Sequence, residues 1–379
     1  MTGQRKEIRP GVWKLRVSAG KDPATGKYIY VAKTVYGGPR LASQELAKLA
    51  VSAKNERGSG ISLERLLAEF FDSCARSAMA AKTLFGYREI ARNHIVPNLG
   101  GKSIDKLTAR DLDNLYRQMA EKGLSASRVH HVHAVLSRAL GQALKWGWVT
   151  TNVAKLASPP TARRTVAVAP SPEELGQILT VTSQRSPQLA AVFALCALTG
   201  ARRGEALALR WSDYDREVKV LTIARSIGYT PNDGIYEKAT KTHSVRKIGV
   251  DEILEGVIVS QIDALEKNTE LGFYLVDDPF LFYGLPDGSK PLHPDTPSKY
   301  FRKMCNQLGL SYHLHQLRHF TATELIAAGV DIRTVSGRLG HADASVTLRV
   351  YSHVLEAQDR AASEYIGSRV FIPKPIDRT

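Results

Sequence analysis

The chain has 379 residues, which is too long for one ordinary hydrophobic core, so we expect two or three domains. It contains no apolar run of about 18 residues that would span a bilayer and no basic-then-apolar start typical of a signal peptide. We therefore expect a cytoplasmic protein without membrane contacts. Three cysteines that lie far apart in the sequence exclude a disulfide framework, and we expect reduced thiols in packed positions at Cys74, Cys196 and Cys305.

The net charge of +15 favours a polyanionic partner, because binding releases the counterions that condense on a polyanion. Residues 1–60 carry 12 Lys and Arg against 4 Asp and Glu, residues 61–160 carry 14 against 8, and residues 161–379 carry 26 against 25. The excess thus lies in the first 160 residues, whose patterning is that of folded segments rather than of a basic tail. This distribution favours nucleic acid as the partner.

The N-terminal segment alternates in the manner of a β-hairpin, with a turn predicted over residues 22–26. Trp13, Leu15 and Val17 share one strand face, and a helix over residues 41–55 is placed to cover it. The opposite face is basic and aromatic, which favours a ribbon that reads a duplex in the major groove over an ordinary solvated face. The candidate DNA contacts of this module are Lys14, Arg16, Lys27, Tyr28 and Tyr30.

A helical domain is predicted to follow the "GSGIS" linker, with Ser62 as the cap of its first helix. Apolar residues at 63, 66, 67, 70 and 71 keep the spacing of one helical face. Later breaks at Pro97, Gly100, Gly101 and Gly123 predict a four- or five-helix bundle that ends near residue 155, with Lys82 as a further candidate DNA contact. His130, His131 and His133 lack a fourth ligand at suitable spacing, so we predict no metal site there.

A proline-rich, basic stretch, "ASPPTARRTVAVAPSP", reads as an extended linker, and whether its Arg163 and Arg164 contact DNA is open. The next domain begins with a helix signature: Ser171 as cap, Pro172 in the first turn and Glu174 in the capping-box position. Helices then alternate with a small β-region around residues 218–250.

One stretch of this last domain, "LTGARRGEALALRWSDYD", suits phosphate recognition. Arg202 and Arg203 follow a Thr-Gly turn at the start of an apolar helix, and Glu205 is close enough to hold a guanidinium in place. An arginine held in this way presents a fork of donors to a phosphate.

Three further stretches add candidate catalytic groups. "KATKTHSVRKIGV" places Lys241 at a turn between two candidate strands, and "HLHQLRHF" places His315 and Arg318 on one helical face. "GRLGHADASVTLRVYSHV" has His341 ten residues before Tyr351. Each of these elements alone is common by chance.

Their order is not. Thr-Gly-x-Arg-x-Gly-Glu, Lys-Thr before a basic strand, His-x-Leu-Arg-His, Leu-Gly-His and Thr-x-x-x-Tyr-x-His resemble, in this order, the tyrosine recombinase family, specifically the phage-type integrases. The resemblance covers essentially the whole chain and implies a mixed, mainly α fold. Its parts are a small N-terminal β-sheet-plus-helix module, a helical-bundle core-binding domain and an α+β catalytic domain of the tyrosine recombinase type.

The domains implied by the resemblance are an arm-type DNA-binding domain over residues 1–57, a core-binding helical domain over 61–155, a linker over 156–169, a catalytic domain over 170–366 and a tail over 367–379. The implied catalytic residues are Arg202, Lys241, His315, Arg318, His341 and Tyr351. Among these, the arginines hold the scissile phosphate, the lysine is the general acid and the tyrosine is the nucleophile. Lys238 is a rival for the lysine role, because the segment 225–240 is longer than a tight hairpin.

The resemblance also implies partners. These are double-stranded DNA at core and arm attachment sites and a homotetramer on that DNA, with a host DNA-bending protein and a directionality factor as candidate further partners. No metal or other cofactor is expected. The helix predicted over residues 354–368 packs either in cis or on a neighbouring protomer.

Three other functions compete with a phage-type integrase. A catalytically silent DNA-binding protein is disfavoured because all six active-site residue types are present. A host recombinase that resolves chromosome dimers typically lacks the extra N-terminal sheet. A type IB topoisomerase shares the chemistry but requires neither arm-site binding nor multimers.

Overall fold

The computed structural model describes residues 3–21, 28–55, 60–77, 79–161, 168–240, 245–341, 343, 345, 347–348 and 363–370. The chain divides into two compact units, Met1–Arg164 and Thr165–Thr379. Helices dominate and the sheets are small and antiparallel, so the predicted mixed, mainly α fold class is confirmed. Among the helices described, none is both long and apolar enough to cross a membrane.

The N-terminal module is a three-stranded antiparallel sheet with one helix. Its elements are β1 (Gln4–Arg9), β2 (Val12–Lys21), β3 (Tyr28–Tyr36) and α1 (Pro39–Asn55). The sequence analysis predicted β2, β3 and α1 but missed β1. The sequence of β1, QRKEIR, has no apolar alternation and every one of its residues is exposed, so only its pairing with β2 makes it a strand.

The two faces of this sheet differ as predicted. Leu15, Val17 and Val35 are buried against α1 in a small apolar core. Lys14 and Arg16 are exposed on the opposite face, where the Arg16 guanidinium lies 3.8 Å from the ring centroid of Tyr30. The exposed positions also include Tyr28, whereas Lys27 and the predicted turn at 22–26 lie outside the described residues.

Four helical segments form the bundle of the first unit. They are α2 (Leu63–Arg76), a continuous run of α3 (Ala81–Ile90), a π-helical turn (Ala91–Ile95) and α4 (Val96–Leu99), then α5 (Ala109–Glu121) and α6 (Ala126–Trp146). The predicted cap is confirmed, since the Ser62 hydroxyl accepts a hydrogen bond from the Arg65 N–H at 3.2 Å. All five apolar positions predicted for the buried face of α2 are buried.

The helix break predicted at Pro97 is wrong. Pro97 lies in the first turn of α4, where a missing N–H costs little, and the preceding π-helical turn lets the Val96 N–H bond to the carbonyl of Ala91. The other predicted breaks are confirmed. Gly100 and Gly101 follow α4, and Gly123, with φ of 78°, follows α5.

The second unit contains seven α-helices among its described residues before residue 341, together with two small sheets. Its helices are α7 (Pro172–Ser183), α8 (Pro187–Thr199), α9 (Arg203–Ala206), α10 (Glu252–Glu270), α11 (Asp295–Gln307), α12 (Gln316–Ala327) and α13 (Ile332–Leu339), with 3-10 turns counted apart. Its strands are β4 (Tyr214–Asp215), β5 (Val220–Ile223), β6 (Arg225–Thr230), β7 (Gly234–Ala239) and β8 (Arg246–Gly249). The predicted β-region and the capping box of Ser171 and Glu174 are both confirmed.

Residues 363–369 are also helical.

Helix α8 is the centre of the core of the second unit. Its residues are almost all apolar, and most of them are buried against α7, α10 and α12. Cys196 lies in this helix, and it is buried and free like Cys74 and Cys305, which confirms the prediction for the three thiols. Because α8 packs against several helices, the turn at its C-terminal end is a rigid base for the residues that follow.

Candidate active site

The first predicted arginine lies just beyond the C-terminal end of α8. The helix ends at Gly200, which has φ of 67°, and Arg202 then caps the single turn of α9. The buried carboxylate of Glu205 accepts hydrogen bonds from the Arg202 backbone N–H at 2.9 Å and from its Nη1 at 2.8 Å. The prediction that Glu205 holds a guanidinium is therefore confirmed, although the apolar helix predicted there is only one turn long.

The second predicted arginine is brought to the same turn from a distant part of the chain. Arg318 is 3% exposed on α12, and its Nη1 donates to the carbonyl of Gly200 at 2.8 Å. Thr321, one turn further along α12, donates to the carbonyl of Ala197 at 2.7 Å. These contacts tie α12 to the end of α8, where the helix's last carbonyls have no partner within the helix.

The two predicted histidines flank α12 and α13. His315 immediately precedes α12 and is exposed, with its ring centroid 5.2 Å from that of His319. His341 follows Gly340, the residue that caps the C-terminus of α13, and its Nδ1 lies 2.8 Å from the hydroxyl oxygen of buried Thr347.

The histidines and arginines form one electropositive cluster. Although part of the His315 side chain is exposed, desolvation of the part of its ring that faces His319 lowers its pKa to about 4, assisted by the positive charges of His319, Arg318 and Arg202. Desolvation also lowers the pKa of His341 to about 4, assisted by Arg318 and Arg202. Both imidazoles are therefore neutral at pH 7 in the protein without DNA, and an anion placed among these groups would be stabilised.

A further arginine, Arg246 on β8, contacts this cluster through Glu205. Its Nη2 donates to Glu205 at 2.6 Å, and both side chains are buried. Burial by itself raises the pKa of Glu205, but the hydrogen bond and charge of Arg246, followed by the bonds from Arg202, outweigh it and lower that pKa. Sequence reasoning missed Arg246 and His319 as members of the site, although both lie within stretches singled out for other residues.

Several predicted residues are not brought into this cluster by the described part of the chain. Lys241, Tyr351, Arg163 and Arg164 lie outside the described residues. Lys238, the rival to Lys241, is exposed on β7 with its Nζ 5.9 Å from the ring centroid of Tyr236. Lys82 is exposed on α3. Within the described ranges, no group of three or more His, Cys, Asp or Glu residues is arranged to hold a metal ion.

Two family models match the chain. The model of the phage integrase family matches residues 171–358, and the model of the phage integrase N-terminal SAM-like domain matches residues 62–120. The chain belongs to the phage integrase family. The tyrosine recombinase motifs quoted above are thus those of a family member.

Known relatives and structures agree with this membership. The ICEBs1 integrase of Bacillus subtilis (strain 168) is 26% identical over 364 residues, which are 92% of this chain and 95% of the relative. The Tn1549 transposon integrase in complex with transposon right end DNA has the same fold, with a TM-score of 0.69 at 21% identity over 81% of this integrase-family chain and 100% of that one. A lambda integrase tetramer bound to a Holliday junction gives a TM-score of 0.60 at 19% identity over 89% and 95% of the two chains.

The lowered pKa values predict how stability depends on pH. An imidazole ordinarily binds its proton near pH 6.5, whereas His315 and His341 in the folded protein bind it only near pH 4. Between these values the unfolded chain binds more protons, so stability falls as the pH falls from 6.5 to 4. We predict that His341→Gln shows a smaller drop in Tm between pH 7 and pH 5 than the wild type does.

The measurement is thermal unfolding across this pH range. His131→Gln, which changes an exposed histidine on α6, is the matched control and is expected to keep the wild-type slope. Equal slopes for His341→Gln and the wild type would contradict the assignment of a proton-excluding site at His341.

Proposed function

We propose that this integrase-family chain is a site-specific tyrosine recombinase that cleaves and rejoins double-stranded DNA to integrate and excise a phage or other mobile genome. The observation that carries the proposal is the convergence of Arg202, Arg318, His315 and His341 in one electropositive cluster. Such a cluster matches the charge that gathers on a phosphate during strand transfer. The reaction takes place on DNA in the cytoplasm of the host cell.

Tyr351 is the proposed nucleophile. Its phenolic oxygen forms a bond to the scissile phosphorus while the bond from phosphorus to the 5′-oxygen breaks, leaving a 3′-phosphotyrosyl strand and a free 5′-hydroxyl. The 5′-hydroxyl of a partner duplex then attacks the phosphotyrosine and releases the tyrosine. Because the covalent link conserves the energy of the phosphodiester, resealing requires no ATP, and a phenoxide with an ordinary pKa near 10 leaves readily.

The arginines and His341 stabilise the transition state in this proposal. Arg318 is held rigidly by the Gly200 carbonyl, and Arg202 by Glu205, so little reorganisation is needed when the phosphate gains charge. The Arg202 side chain nevertheless remains 28% exposed, which leaves it accessible to DNA. Each donor of this kind is worth about 10² to 10³ in rate.

The proton transfers fall to Lys241 and His315. A cationic lysine delivers a proton to the departing 5′-oxygen, and Lys241 is preferred to Lys238 because "KTHSVRKI" matches the family pattern. His315 orients the phosphate or accepts the tyrosine proton.

Recombination of two duplexes requires four active sites, so we propose a homotetramer on DNA, as in the lambda integrase complex. Residues 1–57 bind arm sites, 61–155 bind core sites, 156–169 link the domains, 170–366 catalyse and 367–379 form a tail. Two DNA-binding modules on one chain raise affinity through effective concentration. A host DNA-bending protein and a directionality factor complete the proposed assembly.

The nucleophile is tested with Tyr351→Phe on duplexes tiled across the DNA that flanks the gene. We expect the wild type to form a denaturant-stable protein–DNA adduct without metal or nucleotide and the variant to form none, because the phenylalanine ring has no nucleophilic oxygen. The gel-shift affinity of the two proteins should agree. An adduct that survives in the variant would refute Tyr351, and binding without any adduct in the wild type would favour a silent DNA-binding protein.

The general acid is tested by giving the substrate a leaving group that needs no proton. On ordinary DNA we expect Lys241→Ala to cleave about 10² to 10⁴ times more slowly than wild type. On DNA with a 5′-bridging sulfur at the scissile phosphate, whose thiolate leaves unprotonated, this defect should largely disappear. Lys238→Ala is the matched control, and rescue of Lys238→Ala instead would reassign the role.

The DNA-binding face of the N-terminal sheet is tested with Lys14→Ala and Arg16→Ala. Each change is expected to weaken arm-site binding and to reduce the slope of log K against log salt by about 1, because one phosphate contact is lost. Lys33→Ala, which removes a lysine paired with Glu45 at 2.8 Å beside α1, is the control. Unchanged slopes for both test variants would rule out this face, and core cleavage should be unaffected throughout.

A further inference from the structure

We propose that Arg246 is a positioning residue of the recombination site. It acts through Glu205 on Arg202 and through Gly340 on the turn that leads to His341. This inference rests on the proposed function and deepens it, because it adds a residue that does not itself touch DNA.

The first contact keeps the charge of Arg202 available. Glu205 is 2% exposed, and its two oxygens accept from Arg202 Nη1 at 2.8 Å and from Arg246 Nη2 at 2.6 Å. One buried carboxylate between two guanidinium groups leaves a net charge of one positive unit. Without Arg246, Glu205 and Arg202 would form a neutral pair, and the scissile phosphate would lose most of the attraction that Arg202 provides.

The second contact fixes the approach to His341. Gly340 has φ of 69°, and a Cβ atom added there would lie 2.9 Å from Nη1 of Arg246 and 3.3 Å from its Cδ. The turn therefore packs directly on the Arg246 side chain. The backbone N–H of His341 in turn bonds to the carbonyl of Ser336 at 3.0 Å, which joins the histidine to the end of α13.

Arg246 is itself held by the sheet. It pairs with Ile223 of β5, which is in the apolar core of the second unit. Its Nε is buried and has no hydrogen-bond partner among the residues that the structure describes. Replacing Arg246 alone would leave the buried Glu205 carboxylate with Arg202 as its remaining guanidinium partner among the described residues, which lowers stability. The test therefore measures the rate of reaction separately from stability.

The test measures the single-turnover rate of adduct formation at saturating DNA, together with DNA affinity and Tm. We expect Arg246→Met to react about 10²-fold more slowly, the size of the effect of one charged donor, with its affinity within about twofold of wild type. Arg246→Lys, which keeps the charge but not the planar fork, should retain an intermediate rate and guards against misfolding of the methionine variant. Arg185→Met, an arginine bonded to Gln307 on the surface, is the control and should react at the wild-type rate.

Two double variants separate positioning from simple stabilisation. If Arg246 acts in part through Arg202, then Arg202→Met with Arg246→Met should react faster than the product of the two single losses predicts. If its charge offsets Glu205, then adding Glu205→Gln to Arg246→Met should restore at least about tenfold in rate, because the carboxylate that neutralises Arg202 is gone.

The outcomes are distinct. A wild-type rate for Arg246→Met, or additive losses with Arg202→Met, would overturn the inference while the proposed function stands. Failure of the wild type to form any adduct would overturn the proposed function and, with it, the inference.

Discussion

The partial negative charge at the C-terminal end of α8 is the interaction on which the candidate site depends, because its carbonyls bind two of the arginines. A helix leaves its last carbonyls without intrahelical partners, and these carry partial negative charge. Here the carbonyls of Ala197, Leu198 and Gly200 accept from Thr321, Arg338 and Arg318 respectively. Arg318 and Arg338, whose like charges would otherwise repel one another, are thereby held at the same helix end, and the core around α8 fixes that end in place.

Glu205 is the second source of negative charge in the site. It is buried one turn beyond α8 and neutralises part of the charge of Arg202 and Arg246. A carboxylate at this depth is costly unless it is paired, so its two guanidinium partners stabilise it as much as it positions them. One carboxylate paired with two guanidinium groups leaves one net positive charge at the place where the phosphate binds in the proposed reaction.

Affinity and chemistry are divided along the chain. The first 160 residues carry nearly all the net charge, whereas residues 161–379 are close to neutral overall and bring three arginines, Arg202, Arg246 and Arg318, to Glu205 and the end of α8. Long-range attraction to a duplex needs many dispersed charges, while transition-state stabilisation needs a few fixed ones. The exposed basic face of the N-terminal sheet and the buried Arg318 represent these two uses.

The sequence by itself determined the family and most of the elements, and it predicted the order of the candidate site residues. Caps such as Ser62 and Ser171, and the buried face of α2, depend on local spacing, which is visible in the residues alone. Strand β1 and the passage of the helix through Pro97 were decided by tertiary structure, because pairing with β2 and a π-helical turn override weak local signals. The contacts of Arg246 with Glu205 and Gly340 were likewise decided only by the fold. They depend on packing between β8, α9 and α13, which are far apart in the chain.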